Sequence, residues 1–230
     1  MTHSRPLLTV IVPTYNESDT ITKVLDDLLK LKLDYLEMEI IVVDDGSLDE
    51  TFEQVKKFSS IRLFRHEKNM GKGMAVKTGT KNALGKILVI QDADLEYSPN
   101  FIPSLIKPIL KGQARVVYGS RLMGKCDGMS VSHYLGNVIL SKITSLLYNV
   151  KITDVMTGHK AFLREIFRSI DLTERGFTVE VELTSKILQA GWKIVEVPVE
   201  YSRRKYGSSK ISYLDGIRSL LHLLINKMAS

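Results

Sequence analysis

The chain has 230 residues, 44% of them hydrophobic, with a formal charge of +6 and a single cysteine, Cys126. This composition supports a packed core and excludes a disordered chain, and no stretch reaches the roughly 20 uninterrupted apolar residues that span a bilayer. A lone cysteine excludes a disulfide framework or thiolate metal cluster and suits a reducing cytoplasm, while the positive charge favours anionic partners: nucleotide phosphates, a membrane surface or nucleic acid.

Short β-branched runs alternate with helical periodicities, which predicts an α/β protein with a mostly parallel sheet flanked by helices. Residues 7–12 form the first strand and lead into Pro13-Thr14-Tyr15-Asn16-Glu17, so they are not a signal peptide. Ile21, Val24, Leu25 and Leu28 then recur at helical spacing. The strand over 39–43 ends on Asp44 and Asp45, and Ser47 with Glu50 predicts a capping box opening a helix over 49–58. After a strand over 61–64, the segment NMGKGMAVKTG lacks both a dinucleotide fingerprint and a P-loop. It reads as a glycine-eased helix start that brings Lys72 near a ligand and leaves Lys68 and Lys77 solvated. The strand over 87–91 follows, then an apolar stripe of Phe101, Leu105, Ile106 and Ile109, then a strand over 115–118 that leads to Arg121.

Residues 123–133 carry Gly124, Gly128 and little apolar content, which predicts a mobile surface loop. Helices over 134–148 and 177–190 and a strand over 194–201 come next, followed by the basic run SRRKYGSSK. The last segment, 213–228, places Tyr213, Ile217, Leu220, Leu221, Leu224 and Met228 on one helical face and Arg218, His222 and Asn226 on the other. Such a stripe either packs on a core or lies in a membrane interface, and spacing leaves both open.

The chemistry concentrates at strand ends. In ILVIQDADLEY the residues Asp92 and Asp94 face the same side of an extended chain, with Glu96 in phase. Carboxylates that close need a cation or a proton between them. A hard divalent cation such as Mg2+ or Mn2+ takes carboxylate oxygens together with substrate phosphates. The plainer alternative is a polar loop capping the helix after Pro99. Asp44 and Asp45 repeat the pattern and can accept from a base N–H or ribose hydroxyls, although Gly46 and Ser47 alone justify a turn there. Arg121, Arg203, Arg204, Lys205 and Lys210 supply charge that matches phosphate oxygens. His133, His159 and His222 have no metal-ligand spacing.

With PTYNE, VVDDGS, DAD and YGSR in this order, the chain resembles the family 2 glycosyltransferases of GT-A fold. Within them it is similar to the polyprenyl-phosphate sugar synthases, the group of dolichyl-phosphate mannose synthase, whose RVYGESK motif resembles KYGSSKIS at 205–212. The resemblance spans nearly the whole chain. It implies a single GT-A domain over 1–230, with a nucleotide-sugar and metal half over 1–121, an acceptor half over 122–212 and an amphipathic helix over 213–230. It further implies that Pro13, Tyr15, Glu17, Asp44, Asp45, Lys72 and Asp92 hold the nucleotide-sugar donor, and that Asp92, Asp94 and Glu96 place Mg2+ or Mn2+ on its diphosphate. Asp94, Arg121, Arg204 and Lys210 are the implied catalytic residues, the cationic ones surrounding the phosphates of donor and acceptor. Asp154 and His159 fall on the sugar or acceptor side. His159 departs from a position often aromatic in relatives, and the chain stops at Ser230 without the transmembrane helices that some relatives append.

The implied acceptor is a polyprenyl or dolichyl phosphate, with the protein peripheral at the cytoplasmic face of a membrane and no nucleic-acid partner. A phosphate monoester, with its second pKa at about 6, is largely a dianion at neutral pH and needs no strong base to attack. In-line attack at the anomeric carbon inverts it. Three rival readings use fewer of these residues. A haloacid-dehalogenase-type phosphatase wants Thr or Val where Glu96 stands. A receiver domain leaves Asp92 and Asp94 idle, and a non-catalytic nucleotide-sugar-binding module needs no acceptor site. Transfer to a sugar hydroxyl is the alternative within the family.

Overall fold

The computed structural model describes residues 7–33, 36–204 and 213–228. Strand and helix alternate in the first part: β1 Leu8–Thr14, α1 Ile21–Lys30, β2 Met38–Asp44, α2 Thr51–Val55, β3 Arg62–Arg65, α3 Lys72–Asn82, β4 Ile87–Ile90, a 3-10 turn Pro99–Phe101 running into α4 Ile102–Leu110, and β5 Val116–Ser120. The second part is less regular: β6 Cys126–Asp127, α5 Val131–Tyr148, β7 Lys160–Leu163, α6 Arg164–Arg168, α7 Val179–Gln189, β8 Ile194–Pro198, β9 Tyr201–Ser202 and α8 Tyr213–Met228.

Seven strands make one sheet in the order β3-β2-β1-β4-β7-β5-β8, with β7 antiparallel to both neighbours and every other pair parallel. Both faces are covered, as a parallel sheet requires. Val10, Val12, Val42, Val89 and Val117 meet α1 and α4 on one face, while Ile11, Ile41, Leu88, Ile90 and Phe162 meet α3 and α7 on the other. Ile21, Val24, Leu25 and Leu28 are fully buried, each contributing roughly 1.5–3 kcal/mol. The parallel strands all end at one edge, so Thr14, Asp44, Gln91 and Ser120 open onto a common rim.

The structure corrects several local expectations. Ser47 does not cap a helix: α2 runs only over Thr51–Val55, and the Ser47 hydroxyl instead accepts from the Asn16 N–H at 2.9 Å, tying the end of β1 to that of β2. Within the expected loop over 123–133, Cys126 and Asp127 pair with Tyr201 and Ser202, and α5 starts three residues early because Ser130 accepts from the His133 N–H. The expected strand over 194–201 divides into β8, on the main sheet, and β9. Lys77 is exposed, as expected, and its ammonium lies 3.0 Å from the exposed Asp171. The strand β7 has no forecast at all. Its four residues follow a polar run and begin on Lys160, a charge that burial statistics place outside a sheet.

Candidate active site

A cavity of about 370 Å³ lies at the strand-end rim, lined by residues that include Pro13, Tyr15, Glu17, Asp45, Lys72, Asp92, Asp94 and Arg204. A smaller recess continues past Asp92 and Asp94 to Glu96, Arg121 and Glu180. Most of the expected site residues therefore converge. Asp44 does not line the cavity. It is fully buried, with Oδ1 accepting from the Ser47 N–H at 3.3 Å and Oδ2 3.1 Å from Arg65 Nε, so it shapes the turn behind the wall. His159 also lies off the wall, fully buried with its ring 5.6 Å from that of Tyr97. Lys210 and Lys205, with the KYGSSKIS stretch, lie outside the described residues.

Backbone geometry builds the acidic centre. Leu95 takes a left-handed φ of 61°, and Asp94 Oδ1 accepts from the Glu96 N–H at 3.0 Å, which folds the segment into a tight turn. Arg204 reaches across to Asp94 and stands 3.4 Å from Glu17 and 3.5 Å from Glu96. Glu17 therefore faces Arg204 from the first motif. Asp92 lies against Gly158, where an added Cβ would come 1.9 Å from its Oδ2, so only a glycine lets β7's approach pass this close. Lys72 opens α3 behind Gly71, whose φ of 94° and contact with the Arg175 carbonyl exclude a side chain. Its ammonium is 2.7 Å from Asp92 Oδ1 and 2.9 Å from Glu180 Oε1.

The electrostatics follow from this crowding. Burial raises the Asp92 carboxyl to about 6; Lys72 opposes that rise, and Asp94 and Glu180 add to it. Burial and the neighbouring Asp94 push Glu96 up to about 7. Burial would lower the Lys72 ammonium, but Asp92 and Glu180 outweigh it and hold the charge firmly. Glu180 also binds Lys160, which is fully buried, so a chain of alternating charge runs from Asp92 into the core. The same arithmetic of paired buried charges holds Arg121. Its guanidinium fork meets Asp154 at 2.7 Å on both oxygens, and Tyr97 and Tyr201 flank it. The Arg121 N–H and the Asn137 side-chain amide fill the remaining Asp154 positions at 2.9 and 2.8 Å. Asp154 is thus a positioning group for Arg121, with no lone pair left to act as a base.

Among the described residues no three Asp, Glu, His or Cys side chains form a metal-holding group. The donor set nonetheless fits a hard divalent cation that takes one or two carboxylates and completes its shell with phosphate oxygens. Asp92 and Asp94 border one cavity, and the Asp94 charge adds to the cost of ionising Asp92. Sequence reasoning missed Glu180, Lys160, Asn137 and Phe177. The signal for Glu180 and Glu182 was present, since two carboxylates alternate with valines in VEVEL on a helix buried along its length.

An α/β sheet with a carboxylate pair and phosphate-matching cations at its strand-end rim is a nucleotide-binding class of site, suited to a diphosphate and a divalent cation. The family model for glycosyl transferase family 2 matches residues 9–171, and the chain belongs to that family. It is a glycosyltransferase. It is 33% identical over 217 residues to a dolichol-phosphate mannosyltransferase of Pyrococcus furiosus, covering 89% of this chain and 59% of that protein's length. It is 30% identical over 246 residues to a UDP-N-acetylglucosamine–dolichyl-phosphate N-acetylglucosaminyltransferase of Methanococcus voltae, covering 96% of each chain. Among solved structures it is similar to glucosyl-3-phosphoglycerate synthase of Mycobacterium tuberculosis in complex with Mn2+ and UDP. The TM-score there is 0.79 at 23% identity, over 97% of this chain and 80% of that one, a likeness of fold.

Proposed function

We propose that the chain moves a hexose from a nucleotide-diphosphate sugar to a polyprenyl or dolichyl phosphate at a membrane surface, inverting the anomeric carbon. The observation that carries this reading is the recess in which Asp92 and Asp94 stand with Lys72, Arg121 and Arg204 around one small volume. That set suits two phosphate-bearing reactants meeting at one carbon. The donor's nucleoside lies along Pro13, Tyr15 and Asp45, with its diphosphate over Asp92 and Asp94. Mg2+ or Mn2+, held there, supplies charge neutralisation to the leaving diphosphate. Lys72 and Arg204 bind the departing charge. Arg121, locked by Asp154, orients the acceptor phosphate. A dianionic acceptor needs no base, which agrees with the fully engaged Asp154. The reading includes the expected division as a proposal of its own: one domain, with a donor half over 1–121 and an acceptor half over 122–212.

No helix among the described residues is long and apolar enough to cross a membrane. What supports surface docking is the orientation of α8. Ser219 and Leu223 face the protein, whereas Leu214, Ile217, Leu221, Leu224, Ile225 and Met228 are exposed. The apolar stripe thus faces outward over a helix about 24 Å long. Asp215, on the first turn of α8, lines the donor cavity, so this face and the site adjoin. The test is release of nucleoside diphosphate from a labelled donor on vesicles with and without polyprenyl phosphate. Turnover should require the lipid phosphate and fall about a hundredfold in Asp94→Asn. Equal turnover without lipid phosphate would reject the acceptor.

A further inference from the structure

We infer that the donor nucleotide is of the uridine type, selected against guanosine by a carboxylate with one acceptor position left, and that His66 sets this choice as a positioning residue. The inference rests on the donor reading above and names its base. Asp45 lines the cavity beside Pro13, Thr14 and Asn69 and is 3% exposed. Its Oδ1 accepts from the Met70 N–H at 2.9 Å and stands 2.6 Å from His66 Nδ1, while Oδ2 accepts from the Gly71 N–H at 2.7 Å. A carboxylate only accepts, so Nδ1 carries the hydrogen, and the other ring nitrogen accepts from the Thr78 hydroxyl at 2.9 Å.

A carboxylate offers about four lone-pair positions, two on each oxygen. Three are taken, both of those on Oδ1 among them, and Oδ2 keeps one. Guanine presents two adjacent donors, the ring N1–H and the exocyclic N2–H, which a carboxylate satisfies with one oxygen for each. Here Oδ1 has no position to give, so a bound guanine would bury one N–H unpaired. Uracil presents a single ring N–H between two carbonyls, and one position suffices. Thr14 sits on the same wall, with a buried hydroxyl that has no hydrogen-bond partner among the described residues, and such a hydroxyl can donate to a neighbouring carbonyl. Cytosine lacks the ring N–H, so its ring nitrogen would face the carboxylate acceptor to acceptor.

Calorimetric titration of the full chain with UDP, GDP and CDP in the presence of Mn2+ tests this. UDP is expected to bind at least about tenfold tighter than either of the others, the weight of one hydrogen bond to a charged group. His66→Leu frees a position on Oδ1 and should shrink the UDP-to-GDP ratio to about threefold or less, since guanine can then use both oxygens. A general loss of order would weaken both nucleotides without changing the ratio. GDP binding as tight as UDP would overturn the base assignment while leaving the donor reading intact, and an unchanged ratio in His66→Leu would overturn the role of His66. Failure of all three nucleotides to bind would overturn the donor reading and this inference with it.

Discussion

The buried imidazole of His159 makes stability depend on pH in a way that can be worked out from its surroundings. The ring is fully buried, and neither nitrogen has a hydrogen-bond partner among the described residues. Burial drives its pKa down to about 3 from 6.5, so the folded protein holds it neutral wherever the unfolded chain would protonate it. The unfolded state therefore binds the extra proton between these two values, and stability rises with pH across that window. The cost is absent above about pH 7.5 and grows by about 1.4 kcal/mol for each pH unit below 6.5, reaching about 2 kcal/mol at pH 5. Urea unfolding of the wild type and of His159→Phe, at intervals from pH 8 to pH 5, isolates this contribution, because every other titrating group is common to both chains. The ring of the variant keeps a partner for Tyr97. The difference in unfolding free energy should shift by about 2 kcal/mol in favour of the variant as the pH falls. A difference that stays constant over this range would refute the reasoning, and so would an imidazole NMR signal titrating near 6.5.

Asp154→Asn leaves the Arg121 guanidinium buried without its counter-charge and is expected to cost about 3–5 kcal/mol in thermal unfolding; a change below about 1 kcal/mol would mean that Arg121 finds another partner. Gly158→Ala puts a methyl group 1.9 Å from Asp92 Oδ2 and should lower turnover far more than stability, read as kcat against the unfolding midpoint. Glutamate at Ile217 and Leu221 together should abolish most co-sedimentation with anionic vesicles yet leave the unfolding midpoint within about 2 °C, because both side chains already face outward. Undiminished vesicle binding would remove α8 as the anchor.

The parallel sheet was legible because its central strands β1, β2, β4 and β5 are largely apolar, as burial on both faces requires, and because each ends at a polar cluster. That is also why Asp45, Asp92, Asp94 and Arg121 could be placed at one rim before any coordinates. Asp44 shows the limit. It is adjacent to Asp45 and chemically identical, yet the pleat turns one carboxylate to Arg65 and the other to the cavity. The stripe on α8 was equally visible, but its periodicity is the same whether the face looks inward or outward; contact with α7 through Leu223 decided the direction. The buried lysine Lys160 and its strand β7 escaped sequence reasoning for a different reason. A charge inside a sheet is stable only beside a specific opposite charge, and Glu180, 20 residues further on, becomes its neighbour only when α7 packs on the sheet. Local pattern reports what each segment prefers by itself. Which cation neutralises which carboxylate depends on distances across the fold, and those exist only after it has formed.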